Sequence, residues 1–189
     1  MSEQPKDTAA AKRHAVFLDR DGVLSRVRPV GGIPRPPESV AELELEPGAS
    51  EACRRLHEAG LLLIVVSNQP DIARGTQTMA AVEALNRELR ARLPLDDVRI
   101  CPHDDADRCV CRKPKAGMLI GAAADWGIEL RRSFMVGDRW RDIEAGRRAR
   151  CATVFVDRGY AERRPQGQDL TVRSLDEAVP WLLAQWAEA

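Results

Sequence analysis

Six apolar residues in a row, L-L-L-I-V-V at positions 61–66, limit this 189-residue chain to a few kinds of fold. A strand with one face in water alternates apolar and polar residues, and no such alternation is present here. A strand that is apolar throughout is typical of a parallel sheet in which helices cover both faces. The stretch therefore predicts a central strand of a parallel sheet.

Strand-like and helix-like segments alternate along the rest of the chain. The helix predicted at 78–93 has apolar residues three and four positions apart, and Pro94 ends it. Repeated strand–helix units of this size form a doubly wound parallel sheet, so we predict an α/β fold of the Rossmann-like type. Residues 26–46 and 158–173 are predicted to be irregular surface loops. The other predicted strands are 14–18, 98–101, 133–136 and 153–156, and the other predicted helices are 47–59, 116–125, 141–149 and 175–186.

Length and composition exclude several classes of protein. The chain is long enough for one domain with a substantial core, predicted over 14–189. Its formal net charge is zero, so nothing favours binding to nucleic acid or to an anionic membrane. Residues 1–13 lack the apolar segment of a signal peptide and are predicted to be a disordered lead-in. We expect a monomeric, cytoplasmic protein whose five cysteines are thiols or metal ligands rather than disulfides.

Two carboxylates follow the first predicted strand, where the chain reads F-L-D-R-D-G-V. Asp19 and Asp21 are one residue apart, so both project toward the same side of an extended backbone. Two such carboxylates can share a magnesium ion, and one of them can attack phosphorus. Gly22 permits a sharp turn beside a ligand. The alternative interpretation is a solvated turn.

Polar residues also follow the other strands, at the sheet edge where ligands bind in folds of this kind. Hydroxyl and amide groups follow the second strand, a lysine follows the third, and two aspartates follow the fourth. The second of these aspartates, Asp142, also fits the plain role of a carboxylate at a helix start. Each pattern occurs in ordinary loops, but their order along the chain is specific. The residues are Ser67, Asn68, Gln69, Lys113, Asp138 and Asp142.

Four potential zinc ligands lie within eleven residues and have the spacing C-x-H-x5-C-x-C. Three thiolates and one imidazole make a closed tetrahedral site with no position for water, so we predict a structural zinc ion rather than a catalytic one. The alternative is a set of unrelated reduced cysteines beside an exposed histidine. The predicted ligands, in the loop 101–111, are Cys101, His103, Cys109 and Cys111.

The ordered motifs resemble those of the haloacid-dehalogenase-like (HAD) phosphohydrolases over about residues 16–156. The resemblance implies dependence on Mg²⁺, with Asp19 as the nucleophile and Asp21 as the group that protonates the leaving oxygen and then activates water. It also implies that Ser67 and Lys113 hold the phosphoryl oxygens. Magnesium ligands by the same resemblance are Asp19, Asp138 and the backbone carbonyl of Asp21. The gaps between motifs leave no room for an inserted cap domain, so we expect an open site.

The cysteine loop narrows the resemblance to a branch without a cap domain. The stretches C-P-H, C-V-C-R-K-P-K-A-G-M-L and M-V-G-D-R-W-R-D resemble D-glycero-D-manno-heptose 1,7-bisphosphate phosphatases and the related histidinol-phosphate phosphatases. The resemblance implies that Arg112 binds the distal phosphate or the ring, that Arg139 reaches a phosphate, and that residues 67–69 line the substrate. The segment after Leu24 lacks the Asp-x-Gly-Tyr sequence usual in the heptose enzymes.

Three functions therefore remain for comparison with the structure. The first is a Mg²⁺-dependent phosphatase that acts on a sugar bisphosphate, namely D-glycero-D-manno-heptose 1,7-bisphosphate, through an aspartyl-phosphate. The second is a histidinol-phosphate phosphatase, and the third is a non-catalytic binding module stabilised by zinc.

Overall fold

The computed structural model of the chain describes residues 12–30 and 33–187. Its centre is a six-stranded parallel sheet in the order β5-β4-β1-β6-β7-β8, and β2 and β3 form a separate antiparallel hairpin. The predicted α/β fold is confirmed. The strands are β1 (Ala15–Leu18), β2 (Arg28–Val30), β3 (Ile33–Arg35), β4 (Leu62–Asn68), β5 (Asp97–Cys101), β6 (Phe134–Gly137), β7 (Ala152–Val156) and β8 (Leu170–Val172). The helices are α1 (Ala49–Glu58), α2 (Met79–Arg92), α3 (Gly117–Trp126), α4 (Trp140–Ala149) and α5 (Leu175–Ala187).

Helices cover both faces of the sheet, as the apolar stretch at 61–66 predicts. Successive residues of β4 point to opposite faces, so Leu63 and Val65 pack in one core and Ile64 and Val66 in the other. The first core includes residues of α1, α2 and α5, and the second includes residues of α3 and α4. All predicted helices and strands are present, with ends within two residues of the prediction.

The two segments predicted to be irregular contain strands, so this part of the prediction is wrong. Residues 26–46 include the β2–β3 hairpin, and residues 158–173 include β8 at the edge of the main sheet. Each of these strands has only three residues, which is too short to show an apolar period. A long-range contact fixes β8 instead, because the backbone N–H and the hydroxyl of Thr153 donate to Asp169 Oδ2 at 2.7 and 3.0 Å.

The predicted lead-in at 1–13 lies mostly outside the described residues, which begin at Lys12. Arg13 is ordered against the domain, because its backbone N–H donates to the carbonyl of Gly127 at 3.1 Å. None of the helices in the described ranges is long and apolar enough to cross a membrane.

Candidate active site

A cavity of about 460 Å³ opens at the carboxyl ends of the strands. Strands β4, β1 and β6 are neighbours in the sheet, so the polar residues that follow them meet at one edge. All the residues that the sequence predicts for catalysis, substrate binding and magnesium binding line this cavity. They are Asp19, Asp21, Ser67, Asn68, Gln69, Arg112, Lys113, Asp138 and Arg139.

A buried lysine lies at the centre of the site. The side chain of Lys113 is 2% exposed, and its ammonium donates to Asp19 Oδ1 at 2.8 Å and to the carbonyl of Val66 at 2.7 Å. The same ammonium lies 2.6 Å from Asp142 Oδ1. Burial alone lowers the pKa of Lys113, but Asp142 and Asp19 outweigh burial and the net shift is upward. Lys113 is therefore a fixed cation beside the predicted nucleophile.

Three buried carboxylates form a cluster, and the Lys113 ammonium contacts two of them. Asp19, Asp138 and Asp142 each present an oxygen within 4.8 Å of the others. Burial raises the pKa of Asp19 to about 6, with Lys113 acting in the opposite direction. Burial, reinforced by Asp19 and Asp142, raises the pKa of Asp138, and Asp138 Oδ1 has no hydrogen-bond partner among the described residues. Three carboxylates against one ammonium leave two negative charges, which a divalent cation such as Mg²⁺ fits.

The carboxylate of Asp21 is not part of this cluster. The chain bends after β1, so Asp19 and Asp21 both line the cavity but have different partners. Asp21 accepts hydrogen bonds from Arg20, from the Ser25 hydroxyl at 2.9 Å and from the Gln69 amide at 2.9 Å. This arrangement leaves only the backbone carbonyl of Asp21 for the predicted magnesium site, and that assignment stays a prediction.

Asp142 lies in the site, although the sequence interpretation gave it no catalytic or metal-binding role. Its Oδ2 accepts the backbone N–H of Arg139 at 2.9 Å, which is the helix-start role, while its Oδ1 contacts Lys113. Asp142 therefore has the helix-start role and also contacts the lysine of the site. The spacing G-D-x-x-x-D places Asp142 one helical turn from Asp138 and is the sequence feature that reveals it.

The polar residues after β4 position other groups of the site. The Asn68 side chain forms two hydrogen bonds of 3.0 Å with the backbone N–H and carbonyl of Lys113, so it fixes the lysine. The Gln69 amide donates to Ser67 Oγ at 2.8 Å and to Asp21 Oδ2, and it joins the predicted phosphate-binding serine to the predicted acid. The substrate-binding roles of these residues stay predictions.

Gly22 allows the turn after β1 to contact Asp138. Its φ of +92° lies in the left-handed region, and a Cβ at this position would lie 1.9 Å from Asp138 Oδ2. The same Cβ would be 3.0 Å from the Tyr160 hydroxyl. Tyr160 therefore reaches the site from a segment predicted to be a surface loop, and no local motif indicates it.

The four predicted zinc ligands form a second cluster with atoms within 4.8 Å of one another. Cys101 Sγ lies 3.6 Å from both Cys109 Sγ and His103 Nδ1, and Cys111 Sγ lies 3.5 Å from Cys109 Sγ and 3.3 Å from His103 Nδ1. Cys111 Sγ and Cys101 Sγ are 2.8 Å apart, so these two sulfur atoms would move apart when a metal ion binds between them. A Zn–S bond of about 2.3 Å implies a separation of about 3.8 Å between tetrahedral ligands. The donor set and its spacing fit a zinc ion, and all five cysteines are free of disulfides.

Two carboxylates of the cysteine loop bind arginines. Asp104 accepts two hydrogen bonds from Arg74, at 2.7 and 3.0 Å. Asp105 accepts from Arg112 Nε at 2.8 Å and from Arg141 at 3.1 Å, so one carboxylate fixes two guanidinium groups at the cavity wall. Arg139 pairs with Glu162.

Comparisons with known proteins agree with this geometry. The HAD-hydrolase-like family model matches residues 110–178. A D-glycero-D-manno-heptose-1,7-bisphosphate 7-phosphatase of Thermosynechococcus vestitus is 37% identical over 198 residues, which cover 93% of this chain and 98% of the relative. A D-glycero-beta-D-manno-heptose-1,7-bisphosphate 7-phosphatase of Rhodopseudomonas palustris is 36% identical and covers 87% of this chain and 89% of the relative.

Solved structures that resemble this chain are also phosphatases. The D,D-heptose 1,7-bisphosphate phosphatase from B. bronchiseptica, complexed with magnesium and phosphate, has a TM-score of 0.77 and 29% identity and covers 91% of this chain and 99% of its own. A HAD-like phosphatase from Mesorhizobium loti has a TM-score of 0.76 and 32% identity and covers 93% and 87% of the two chains.

The parallel sheet, the aspartates at its carboxyl edge and these neighbours define a HAD-type phosphatase, an enzyme that hydrolyses phosphate monoesters. Several relatives are at least 30% identical over most of the chain. The chain belongs to the family of the D-glycero-beta-D-manno-heptose-1,7-bisphosphate 7-phosphatases.

Proposed function

We propose that this enzyme removes the 7-phosphate of D-glycero-D-manno-heptose 1,7-bisphosphate in a Mg²⁺-dependent reaction. The observation that carries the proposal is the buried contact of Lys113 with Asp19 and Asp142, on a cavity wall that also contains Arg112. This arrangement combines a nucleophile, a fixed cation and a second cationic group for a remote phosphate. The names of the relatives supply the sugar.

The residues of the site supply the steps of the reaction. An Asp19 oxygen attacks phosphorus, the bond from phosphorus to the sugar oxygen breaks, and Asp21 gives that oxygen a proton. Asp21 then takes a proton from water as the water oxygen attacks the phosphorus of the aspartyl-phosphate. The bond from phosphorus to the Asp19 oxygen breaks in this step, so inorganic phosphate leaves and the Asp19 carboxylate is restored. Lys113 and Ser67 hold the phosphoryl oxygens throughout. Asp19, Asp138 and the Asp21 carbonyl would hold Mg²⁺, which when bound neutralises charge on these oxygens.

The cysteine loop has a structural part in this function. Cys111, Arg112 and Lys113 are consecutive, so the loop joins a zinc ligand directly to the two cations of the site. Zinc held by Cys101, His103, Cys109 and Cys111 would fix the start of this segment. The arginine–carboxylate pairs of the same loop are partly exposed and contribute little by themselves.

A comparison of substrates tests the proposal. Initial rates with Mg²⁺ give kcat/KM for heptose 1,7-bisphosphate and for histidinol phosphate on the same preparation. We expect the bisphosphate to be preferred by at least about 100-fold, since a lost contact to a charged group costs about 1.5–3 kcal/mol and the monophosphate also lacks the sugar. Preference for histidinol phosphate would assign the chain to that activity, and absence of Mg²⁺-dependent hydrolysis would favour a binding module.

Replacing Cys111 by serine is expected to release zinc and to lower stability and activity together. A loss of roughly 3 kcal/mol corresponds to a fall in Tm of about 6–12 °C for a domain of this size. Zinc content by atomic absorption, Tm and phosphate release are measured on the same samples. The control is Cys53→Ala, in the buried face of α1, which is expected to lower Tm without changing the zinc content. Zinc-free Cys111→Ser protein with unchanged Tm and rate would exclude the structural role.

Replacing Arg112 by alanine is expected to reduce kcat/KM for the heptose bisphosphate by about 10- to 150-fold, because one charged contact to the remote phosphate is lost. The rate on p-nitrophenyl phosphate, which has no second phosphate, is expected to change by less than about threefold. The control is Arg108→Ala, an exposed arginine of the same loop that does not line the main cavity. Equal losses on both substrates would remove Arg112 from substrate recognition.

A further inference from the structure

Arg20, between the two aspartates of D-R-D, is the largest fully buried side chain among the described residues. An arginine carries five N–H donors and keeps its charge, so burial requires fixed partners. Its Nε and Nη2 donate to Asp21 Oδ1 and Oδ2 at 3.0 and 2.9 Å. Its Nη1 donates to Asn86 Oδ1 at 3.1 Å. The guanidinium therefore connects Asp21 to helix α2.

Asn86 lies on the buried face of α2, and the other buried residues of this helix are apolar. It is 9% exposed, and the neighbouring residues Leu85 and Leu89 are completely buried in the core. A buried amide without a hydrogen bond is costly, and 66 residues separate Asn86 from the Arg20 that it contacts. The position therefore serves the arginine, because packing alone would favour an apolar side chain.

Both oxygens of the Asp21 carboxylate are held by donors. Oδ1 accepts from Arg20 and from the Ser25 hydroxyl, and Oδ2 accepts from Arg20 and from the Gln69 amide. Arg20 supplies two of these four contacts, forms a two-point pair with the carboxylate plane, and is itself fixed from the other side by Asn86. The orientation of the carboxylate thus depends on the chain of contacts from Asn86 through Arg20.

We infer that Arg20 and Asn86 are positioning residues that orient the Asp21 carboxylate for its two proton transfers. The inference rests on the proposed function, in which Asp21 gives a proton to the sugar oxygen and later takes one from water. A displaced carboxylate slows both transfers and with them the departure of the sugar oxygen, while binding of the substrate continues. The loss therefore falls on kcat and leaves KM nearly unchanged.

The leaving group distinguishes this role from a general loss of structure. A sugar oxygen needs a proton when its bond to phosphorus breaks, whereas p-nitrophenolate leaves without one. With p-nitrophenyl phosphate, an enzyme with misplaced Asp21 still forms the aspartyl-phosphate rapidly but hydrolyses it slowly. The aspartyl-phosphate then accumulates, and a burst of p-nitrophenol precedes the steady state.

The test compares Asn86→Ala and Arg20→Lys with the unchanged enzyme by stopped-flow absorbance on p-nitrophenyl phosphate and by phosphate release from the heptose bisphosphate, both with Mg²⁺. We expect kcat on the bisphosphate to fall by about 10- to 100-fold, and a burst that approaches one p-nitrophenol per enzyme. The control is Leu89→Ala, a core variant of the same helix whose apolar side chain offers Arg20 no hydrogen bond and which is expected to give no burst.

Equal losses on both substrates without a burst in either Asn86→Ala or Arg20→Lys would overturn the inference. Asn86→Ala removes the hydrogen bond to Arg20 Nη1 but does not replace the arginine itself. This variant therefore keeps the test decisive if Arg20→Lys folds poorly. Failure of the proposed function is a separate result. If the enzyme without substitutions does not hydrolyse the heptose bisphosphate, the proposed substrate is refuted. The burst on p-nitrophenyl phosphate still tests the role of Arg20 and Asn86 in that case.

Discussion

Replacing Asp19 by asparagine is expected to reduce turnover of every phosphate ester by about 10⁴-fold or more, because an amide cannot attack phosphorus. The fold and the zinc content are expected to survive, since an amide oxygen can still accept the hydrogen bond that Lys113 donates to Asp19 at 2.8 Å. Phosphate release, circular dichroism and zinc content measure the three quantities on the same protein.

A matched carboxylate in the same cavity provides the control. Asp71 lines the cavity and pairs with Arg74, but its side chain is 41% exposed and lies outside the buried cluster. Asp71→Asn is expected to keep activity within about threefold of the unchanged enzyme. Substantial hydrolysis by Asp19→Asn would show that another group is the nucleophile.

Replacing Lys113 by methionine is expected to destabilise the protein and to remove most of its activity. Loss of the ammonium leaves Asp19 and Asp142 buried without their shared counter-charge, and breaking a buried ion pair from one side costs about 3–5 kcal/mol. Loss of a cation at the transferring phosphoryl group is expected to lower kcat by about 10³-fold. Urea unfolding and phosphate release measure the two effects.

The pH dependence of this destabilisation has a definite sign. Burial raises the folded-state pKa of Asp19 from 3.8 to about 6. The ionised carboxylate therefore destabilises the folded protein, and this destabilisation is absent below about pH 4 and complete above about pH 6. Lys113 opposes this shift, and its loss is expected to raise the pKa of Asp19 further. Without added Mg²⁺, Lys113→Met should therefore destabilise more at pH 7.5 than at pH 5. The control is Lys115→Met, which removes an exposed lysine. The account would be contradicted if Lys113→Met lowered the free energy of unfolding equally at pH 5 and pH 7.5, or if Lys115→Met lowered it as much as Lys113→Met does.

The sequence predicts the main sheet because each long element has its own local pattern. The uninterrupted apolar residues at 61–66 require cover on both faces. Pro94 lies two residues after the end of α2, and Gly127 lies directly after the end of α3. The same reasoning places the site, because residues after parallel strands meet at one edge. The strand β8 is not predictable in this way, since its position depends on the contact of Asp169 with Thr153.

The missed parts of the site depend on contacts between distant residues. Tyr160 reaches Asp138 from a segment without a motif, and Arg20 meets Asn86 across 66 residues. Spacing also cannot show that Asp105 binds both Arg112 and Arg141, or that Asn68 is bonded to the backbone of Lys113. Local patterns thus predict which polar residues meet at the cavity, and tertiary contacts determine which residues hold them in position.

The open cavity is consistent with a substrate larger than a simple phosphate ester. The hairpin formed by β2 and β3 contributes Arg35 to the cavity wall, and the cysteine loop contributes Arg112. Neither segment is a separate cap domain, so both ends of a bisphosphate can contact the same open surface.

The position of hydrolysis tests the central claim most directly. Phosphorus-31 NMR during reaction of heptose 1,7-bisphosphate with the enzyme and Mg²⁺ follows the two phosphate esters separately. The account predicts that the resonance of the 7-phosphate is replaced by inorganic phosphate while the 1-phosphate resonance persists, and that Asp19→Asn leaves both unchanged. Loss of the 1-phosphate first, or release of phosphate by Asp19→Asn at a comparable rate, would contradict it.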